Sequence, residues 1–168
     1  MDRHIFLVGM PGSGKSALGR RVAQKLQIPY LDTDVYLTEA TGMDTAQLYA
    51  AFGEQAFRDA ETRLLQKLIN ATPGIISTGG GLCLREENRL LMHNHGLIVL
   101  IDRPIDDIML DIRAEKRPYL AQKGREEIER IYNERMPIYR SAADIVMDNG
   151  NGFHNGLAAL EDVVRRFG

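Results

Sequence analysis

The stretch GMPGSGKSALG, residues 9 to 19, sets a lysine and a hydroxyl directly behind closely spaced glycines. Read from Gly9 it is G-x-x-x-x-G-K-S, a loop whose backbone N–H groups cradle phosphates. In such a loop the lysine reaches the β- and γ-phosphates and the hydroxyl meets Mg²⁺. Read from Gly12, GSGKSA also satisfies the dinucleotide fingerprint G-x-G-x-x-G/A, with Asp32 and Asp34 about 20 residues on. That fingerprint places its first glycine close behind a strand, whereas Gly12 comes three residues after the apolar run IFLV has ended at Gly9. It also leaves Lys15 and Ser16 without a task. The phosphate loop is therefore favoured, with Gly12, Ser13, Gly14, Lys15, Ser16 and Ala17 around the nucleotide and the dipole of the following helix assisting.

A phosphate loop leaves open what accepts the phosphoryl group. In LDTDVY, Asp32 and Asp34 are spaced i and i+2, so on an extended strand end both would point to one side, at the carboxyl edge of a sheet. Asp32 could then hold Mg²⁺ while Asp34 takes the proton of an acceptor hydroxyl. The competing account is helix capping, with Asp34 or Thr33 opening the helix VYLTEA. In FRDAE, Arg58 and Glu61 are i, i+3 neighbours, which alone means only a surface ion pair. The run STGGG alters that reading, because Gly79, Gly80 and Gly81 allow close approach of backbone to a ligand. A guanidinium facing that floor suits a small carboxylate, with Glu61 orienting Arg58.

Asp102 ends the run LIVLI and has the position of a second metal acid, but Pro104, Asp106 and Asp107 behind it mark a helix start, so Asp102 is assigned to structure. Residues 113 to 125 combine charge, Pro and Gly with little apolar periodicity, and are expected to form a mobile lid carrying Arg117. From 113 to 140 eight basic residues face five acidic ones, a local excess suited to phosphates; Arg117 and Arg135, each near a proline, are the functional candidates. Arg125, Arg130 and Arg140 are read as a solvated helix face. The four histidines lack metal-ligand spacing, so Mg²⁺ delivered with ATP is the metal implied.

These side chains need a frame. Apolar runs at 5 to 8, 29 to 32, 74 to 78, 97 to 101 and 144 to 147 read as five strands, and Leu18, Val22 and Leu26, like Leu64, Leu65, Leu68 and Ile69, recur at helical spacing. Strands buried on both faces and joined by helices imply an α/β fold of three layers, α-β-α, around a central five-stranded parallel sheet. DTAQ at 44 to 47 has the residues of a capping box. The length suits one domain over 1 to 168, and a net charge of -2 gives no footprint for nucleic acid or an anionic membrane. A single cysteine, Cys83, expected to be packed and inert, and the lack of a secretory h-region favour a cytoplasmic protein, expected to act as a monomer on small molecules.

GMPGSGKS, LDTD, GE..FR..E (Gly53, Glu54, Phe57, Arg58, Glu61), STGGG, RPYL and RMPIY occur in the order found in the shikimate kinase family, which the chain resembles over nearly its whole length. The resemblance implies a P-loop kinase of the nucleoside monophosphate kinase-like fold that transfers the γ-phosphoryl group of ATP to the 3-hydroxyl of shikimate. It would give Asp34, Arg58, Gly80 and Arg135 to shikimate, with Gly79 and Gly81 beside it, Ser16 and Asp32 to Mg²⁺, and Arg117 to the nucleotide phosphates. The last loop, DNGNG at 148 to 152, lacks the basic residue that some relatives place near adenine. A gluconate or nucleoside monophosphate kinase would share the loop but not use the Asp pair, Arg58 and triple glycine as a set. A GTPase switch would need an N-K-x-D that is absent.

Overall fold

The computed structural model describes residues 1–114 and 124–168, with side chains through residue 110 and from residue 124. Strand β1 (His4–Val8) is central, and the sheet runs β2 (Tyr30–Asp32), β3 (Ile75–Ser77), β1, β4 (Gly96–Asp102), β5 (Ile145–Asp148). Every neighbouring pair is parallel. All five expected strands are present, with bounds shifted by a residue or two. A parallel sheet needs a crossover between neighbours, and the long amphipathic stretches supply them.

β1 shows why the apolar runs are continuous. Phe6 and Val8 face a core with Ile76, Ile98 and Leu100, whereas Ile5 and Leu7 face a second core with Ile75, Val99 and Ile101. Helices α1 (Lys15–Leu26) and α7 (Phe153–Phe167) cover the second core through Leu18, Val22, Leu160 and Val164. The first core is covered by α3 (Thr45–Leu68), α4 (Glu86–His95), α5 (Ile105–Ala114) and α6 (Gly124–Ala142), whose Leu64, Leu65, Met92, Ile108, Met136 and Tyr139 are buried there. Leu65, Leu18 and Tyr139 are fully inaccessible to solvent.

α2 (Thr33–Thr41) follows β2 without a loop. At the start of α3 the capping box is formed: the Gln47 amide donates to Asp44 Oδ1 and the Gln47 side chain accepts from the Asp44 amide, each at 2.8 Å. Pro104 precedes α5, its carbonyl accepting from the Ile108 amide at 3.1 Å. α3 is broken at Gly53, which has φ 82 and ψ 166, a conformation disfavoured for residues with a Cβ. The sequence carries no expectation of a break at this position. Its effect is to start a fresh helical segment at Glu54 that carries Arg58 and Glu61.

Of the segment expected to be a lid, residues 113–114 end α5 and 124–125 begin α6, while Arg117 lies outside the described residues. Among the described residues no helix is long and apolar enough to cross a membrane. Cys83 is buried and unpaired, and burial pushes its thiol up to about 11, in keeping with an inert packed side chain.

Candidate active site

The carboxyl ends of β1, β2 and β3 bring two loops and the start of α2 to one edge of the sheet, with Asp32 in register with Ser77. Between β1 and α1, residues 9 to 14 form a loop that closes over Lys15. Lys15 Nζ donates to the Gly9 and Met10 carbonyls at 2.9 and 2.8 Å, and the side chain is buried. The ammonium is thus kept among loop carbonyls at the mouth of a helix, where the N-terminal end of the helix dipole favours an anion. Gly14, at φ 99, caps α1 with its backbone and leaves no side chain over the first-turn amides.

Ser16, one residue into α1, donates from its hydroxyl to Asp32 Oδ2 at 2.5 Å, with Ser77 Oγ 3.4 Å away. The other Asp32 oxygen accepts from the amides of Asp34 and Val35 at 3.1 and 3.3 Å. Asp32 is therefore the N-cap of α2, and this corrects two expectations. The capping residue is neither Thr33 nor Asp34, and Asp34 does not continue the strand: it sits in the first helical turn. β2 ends at Asp32, and an aspartate in extended conformation at a strand end can satisfy two orphan amides of the helix that follows. Thr33 is used differently, its hydroxyl accepting from the Gly79 amide at 2.8 Å.

The three glycines after β3 are where the acidic and basic groups meet. A methyl group on Gly79 would collide with Asp34 Oδ1 and lie 3.1 Å from Glu61 Oε1. On Gly80 it would lie 3.1 Å from Pro11 of the phosphate loop and 3.4 Å from Arg135 Nη1, and on Gly81 it would run into the Arg58 guanidinium. Each glycine thus admits a different charged neighbour, so the need for three in a row follows from packing. Asp34, Arg58, Glu61, Arg135 and the phosphate loop all meet on this short backbone.

Arg58 Nη1 donates to Glu61 Oε2 at 2.6 Å, and both residues are buried, so the pair is not a surface one. Tyr49 and Phe57 place their rings 5.5 and 5.4 Å from the Arg58 guanidinium carbon, which restricts its swing. Burial outweighs the attraction of Arg58 and pushes Glu61 up to about 7, with the charge of Asp34 adding to the rise. Its Oε1 is buried with no hydrogen-bond partner among the described residues. Tyr139, on the α6 face that also carries Arg135, donates to the Gly80 carbonyl at 2.5 Å. Burial pushes its phenol up to about 12, so it remains a donor at neutral pH.

Asp102 is engaged elsewhere, paired with Arg140 at 3.0 Å while its carbonyl accepts from the Asn149 amide at 2.7 Å. The exposed Arg125 and Arg130 pair with Asp106 and Glu129 and with Glu127 and Glu134. Residues with no signal in the sequence also shape the site. Arg103 Nη1 donates to the Gly12 carbonyl at 3.0 Å, and Asn149 Nδ2 donates to the Ser13 carbonyl at 2.8 Å. Tyr139 could have been found, since it closes the RMPIY stretch four residues from Arg135, but its target is a backbone atom that no pattern names.

Among the described residues there is no group of three or more His, Cys, Asp or Glu side chains arranged to hold a metal ion by themselves. Ser16, Asp32 and Ser77 present oxygen only, the donor chemistry Mg²⁺ prefers when phosphates complete its shell.

The family model for shikimate kinase matches residues 11–163. A shikimate kinase from Clostridium botulinum is 34% identical over 164 residues, covering 98% of each chain. One from Clostridium beijerinckii is 35% identical over 164 residues, covering 98% of this chain and 96% of that one. The structure of shikimate kinase from Acinetobacter baumannii in complex with shikimate superposes with a TM-score of 0.87 at 26% identity, covering 98% of this chain and 92% of that one. Matched over nearly its full length in both sequence and fold, the chain belongs to the shikimate kinase family and is a kinase that phosphorylates a hydroxyl of shikimate with ATP.

Proposed function

We propose that the triple-glycine floor is the acceptor site and that its neighbours divide the reaction. The carrying observation is that Gly79, Gly80 and Gly81 are abutted in turn by Asp34 and Glu61, by Pro11 and Arg135, and by Arg58. A small hydroxylated carboxylate on that floor meets the guanidinium groups of Arg58 and Arg135 and the carboxyl of Asp34 beside the phosphate loop. Arg58, locked by Glu61 and two aromatic rings, and Arg135 hold the carboxylate. Asp34 accepts the proton of the 3-hydroxyl as its oxygen attacks the γ-phosphorus. The bond from that phosphorus to the bridging oxygen breaks, giving ADP and shikimate 3-phosphate.

Lys15 and the amides from Gly12 to Ala17 take the nucleotide phosphates, and charge accumulating on the transferring group is met by the Lys15 ammonium. Two of its three N–H donors go to the Gly9 and Met10 carbonyls, which hold the ammonium at the mouth of the loop. Ser16 and Asp32 would hold Mg²⁺, which would supply positive charge to offset that of the phosphates. A coupled assay of ADP release with ATP against shikimate, gluconate and nucleoside monophosphates tests the reading. Turnover is expected with shikimate alone, and stimulation by one of the other acceptors instead would overturn it.

A further inference from the structure

Asn149 reaches the phosphate loop from the opposite end of the chain. It follows β5 in the loop leading to α7, and its backbone amide is fixed to the Asp102 carbonyl at 2.7 Å. From there Nδ2 donates to the Ser13 carbonyl at 2.8 Å in a buried setting. The side chain is boxed in on two sides. A methyl on Gly14 would lie 2.8 Å from Nδ2, and one on Gly156, in the first turns of α7, would collide with Oδ1. Its Oδ1 is buried without a partner among the described residues. The Ser13 carbonyl requires a donor, which fixes the orientation of the amide.

The Ser13–Gly14 peptide is the joint that most needs such a clamp. In a trans peptide the C=O and the following N–H point in opposite directions, so holding the Ser13 carbonyl toward Asn149 aims the Gly14 N–H to the other side. A flip of this plane changes ψ at Ser13 and φ at Gly14, and glycine accepts φ of either sign with little steric penalty. Gly14, at φ 99, therefore has no intrinsic barrier to turning its amide away. The Arg103 guanidinium holds the neighbouring Gly12 carbonyl in the same manner, at 3.0 Å.

We propose that Asn149 is a positioning residue for ATP: it locks the Ser13–Gly14 peptide in the one orientation that presents the Gly14 N–H to the nucleotide phosphates. The inference rests on the phosphate-loop role given above, and it makes the loop at 148 to 152 act on the phosphates through the protein backbone. A different use of the same loop, direct contact with the base, gives a different outcome in the test.

The test uses Asn149→Leu, which keeps approximate size and removes the donor, and Asn149→Asp, which keeps shape and turns an acceptor toward the Ser13 carbonyl. ATP-dependent phosphorylation of shikimate by the wild-type chain is measured first, since its absence would refute the phosphate-loop reading and not the clamp. Both variants are expected to raise the KM for ATP and the inhibition constant of ADP about tenfold or more, the scale of a buried carbonyl left unsatisfied. The KM for shikimate and inhibition by adenosine should stay within about twofold. Equal loss toward ADP and adenosine would assign the loop to the base and overturn the proposal, as would unchanged nucleotide constants. Should the variants fail to fold, the wild-type protein still decides. Its ¹⁵N-labelled Gly14 amide should shift downfield on adding ADP and not on adding adenosine, and an unresponsive Gly14 amide would refute the inference.

Discussion

Ser16 and Asp32 share one hydrogen bond, 2.5 Å from hydroxyl to carboxylate, that joins the start of α1 to the end of β2. The same carboxylate caps α2 through its other oxygen, so one side chain caps a helix on one side and meets the Ser16 hydroxyl on the other. Asp32→Asn retains an oxygen for the cap and removes the charge. It should raise the Mg²⁺ concentration needed for half-maximal rate by about tenfold with little change in melting temperature. Asp102→Ala, which breaks the pair with Arg140, should leave the Mg²⁺ requirement unchanged. Magnesium titrations of the three proteins separate the outcomes, and a shift only in Asp102→Ala would make Asp102 the metal acid.

Asp34→Asn keeps the shape of the first turn of α2 and removes the proton acceptor. Turnover should fall about 10²-fold or more while ATP binding stays near wild type. Retained turnover in steady-state assays would reduce Asp34 to a structural residue of the helix start.

Gly81 has an ordinary backbone conformation, φ -95, so alanine there strains no backbone, and the nearest atoms it would meet are those of the Arg58 guanidinium. Gly81→Ala should displace Arg58 and raise the KM for shikimate about tenfold or more, leaving that for ATP near its original value. Arg58→Lys should do the same, because an ammonium keeps the charge but loses the planar fork. Parallel weakening toward both substrates would point to a folding defect.

Glu61 gives the protein a pH dependence of definite sign. Folding raises its pKa from the ordinary 4.5 to about 7, so the native state holds the proton more tightly than the unfolded chain. Its contribution to stability is therefore full below about 4.5 and is lost as pH rises through about 7, by up to about 3 kcal/mol. Glu61→Gln removes this term. Urea unfolding at about pH 5 and about pH 7.5 should show a smaller fall for the variant than for wild type. The same fall in both would place the titration elsewhere.

The phosphate loop was legible because its task is local: strand, glycine turn, lysine and hydroxyl lie within a dozen residues, and backbone geometry over so short a span follows from residue type. The strands were legible for a related reason. Burial on both faces forces Phe6 and Ile5, which face opposite cores, to be equally apolar, and that leaves a run no surface strand would carry.

The proposed acceptor site was legible only as a set of residue types. That Arg58 and Glu61 form a buried pair, and not an exposed one, depends on the break at Gly53 and on the glycine floor brought against them from β3. Which aspartate caps α2 was decided by where β2 stops, a boundary set by its pairing with β3 and by the hydroxyl of Ser16 reaching Asp32 from α1. The clamp of Asn149 on Ser13 joins positions 136 residues apart, through a side chain and a carbonyl that no local pattern marks. The sequence by itself determined which groups the protein owns and which short segments hold them. The tertiary structure decided which of those groups share a carbonyl, a proton or a ligand, because such contacts depend on packing between segments and not on spacing within one.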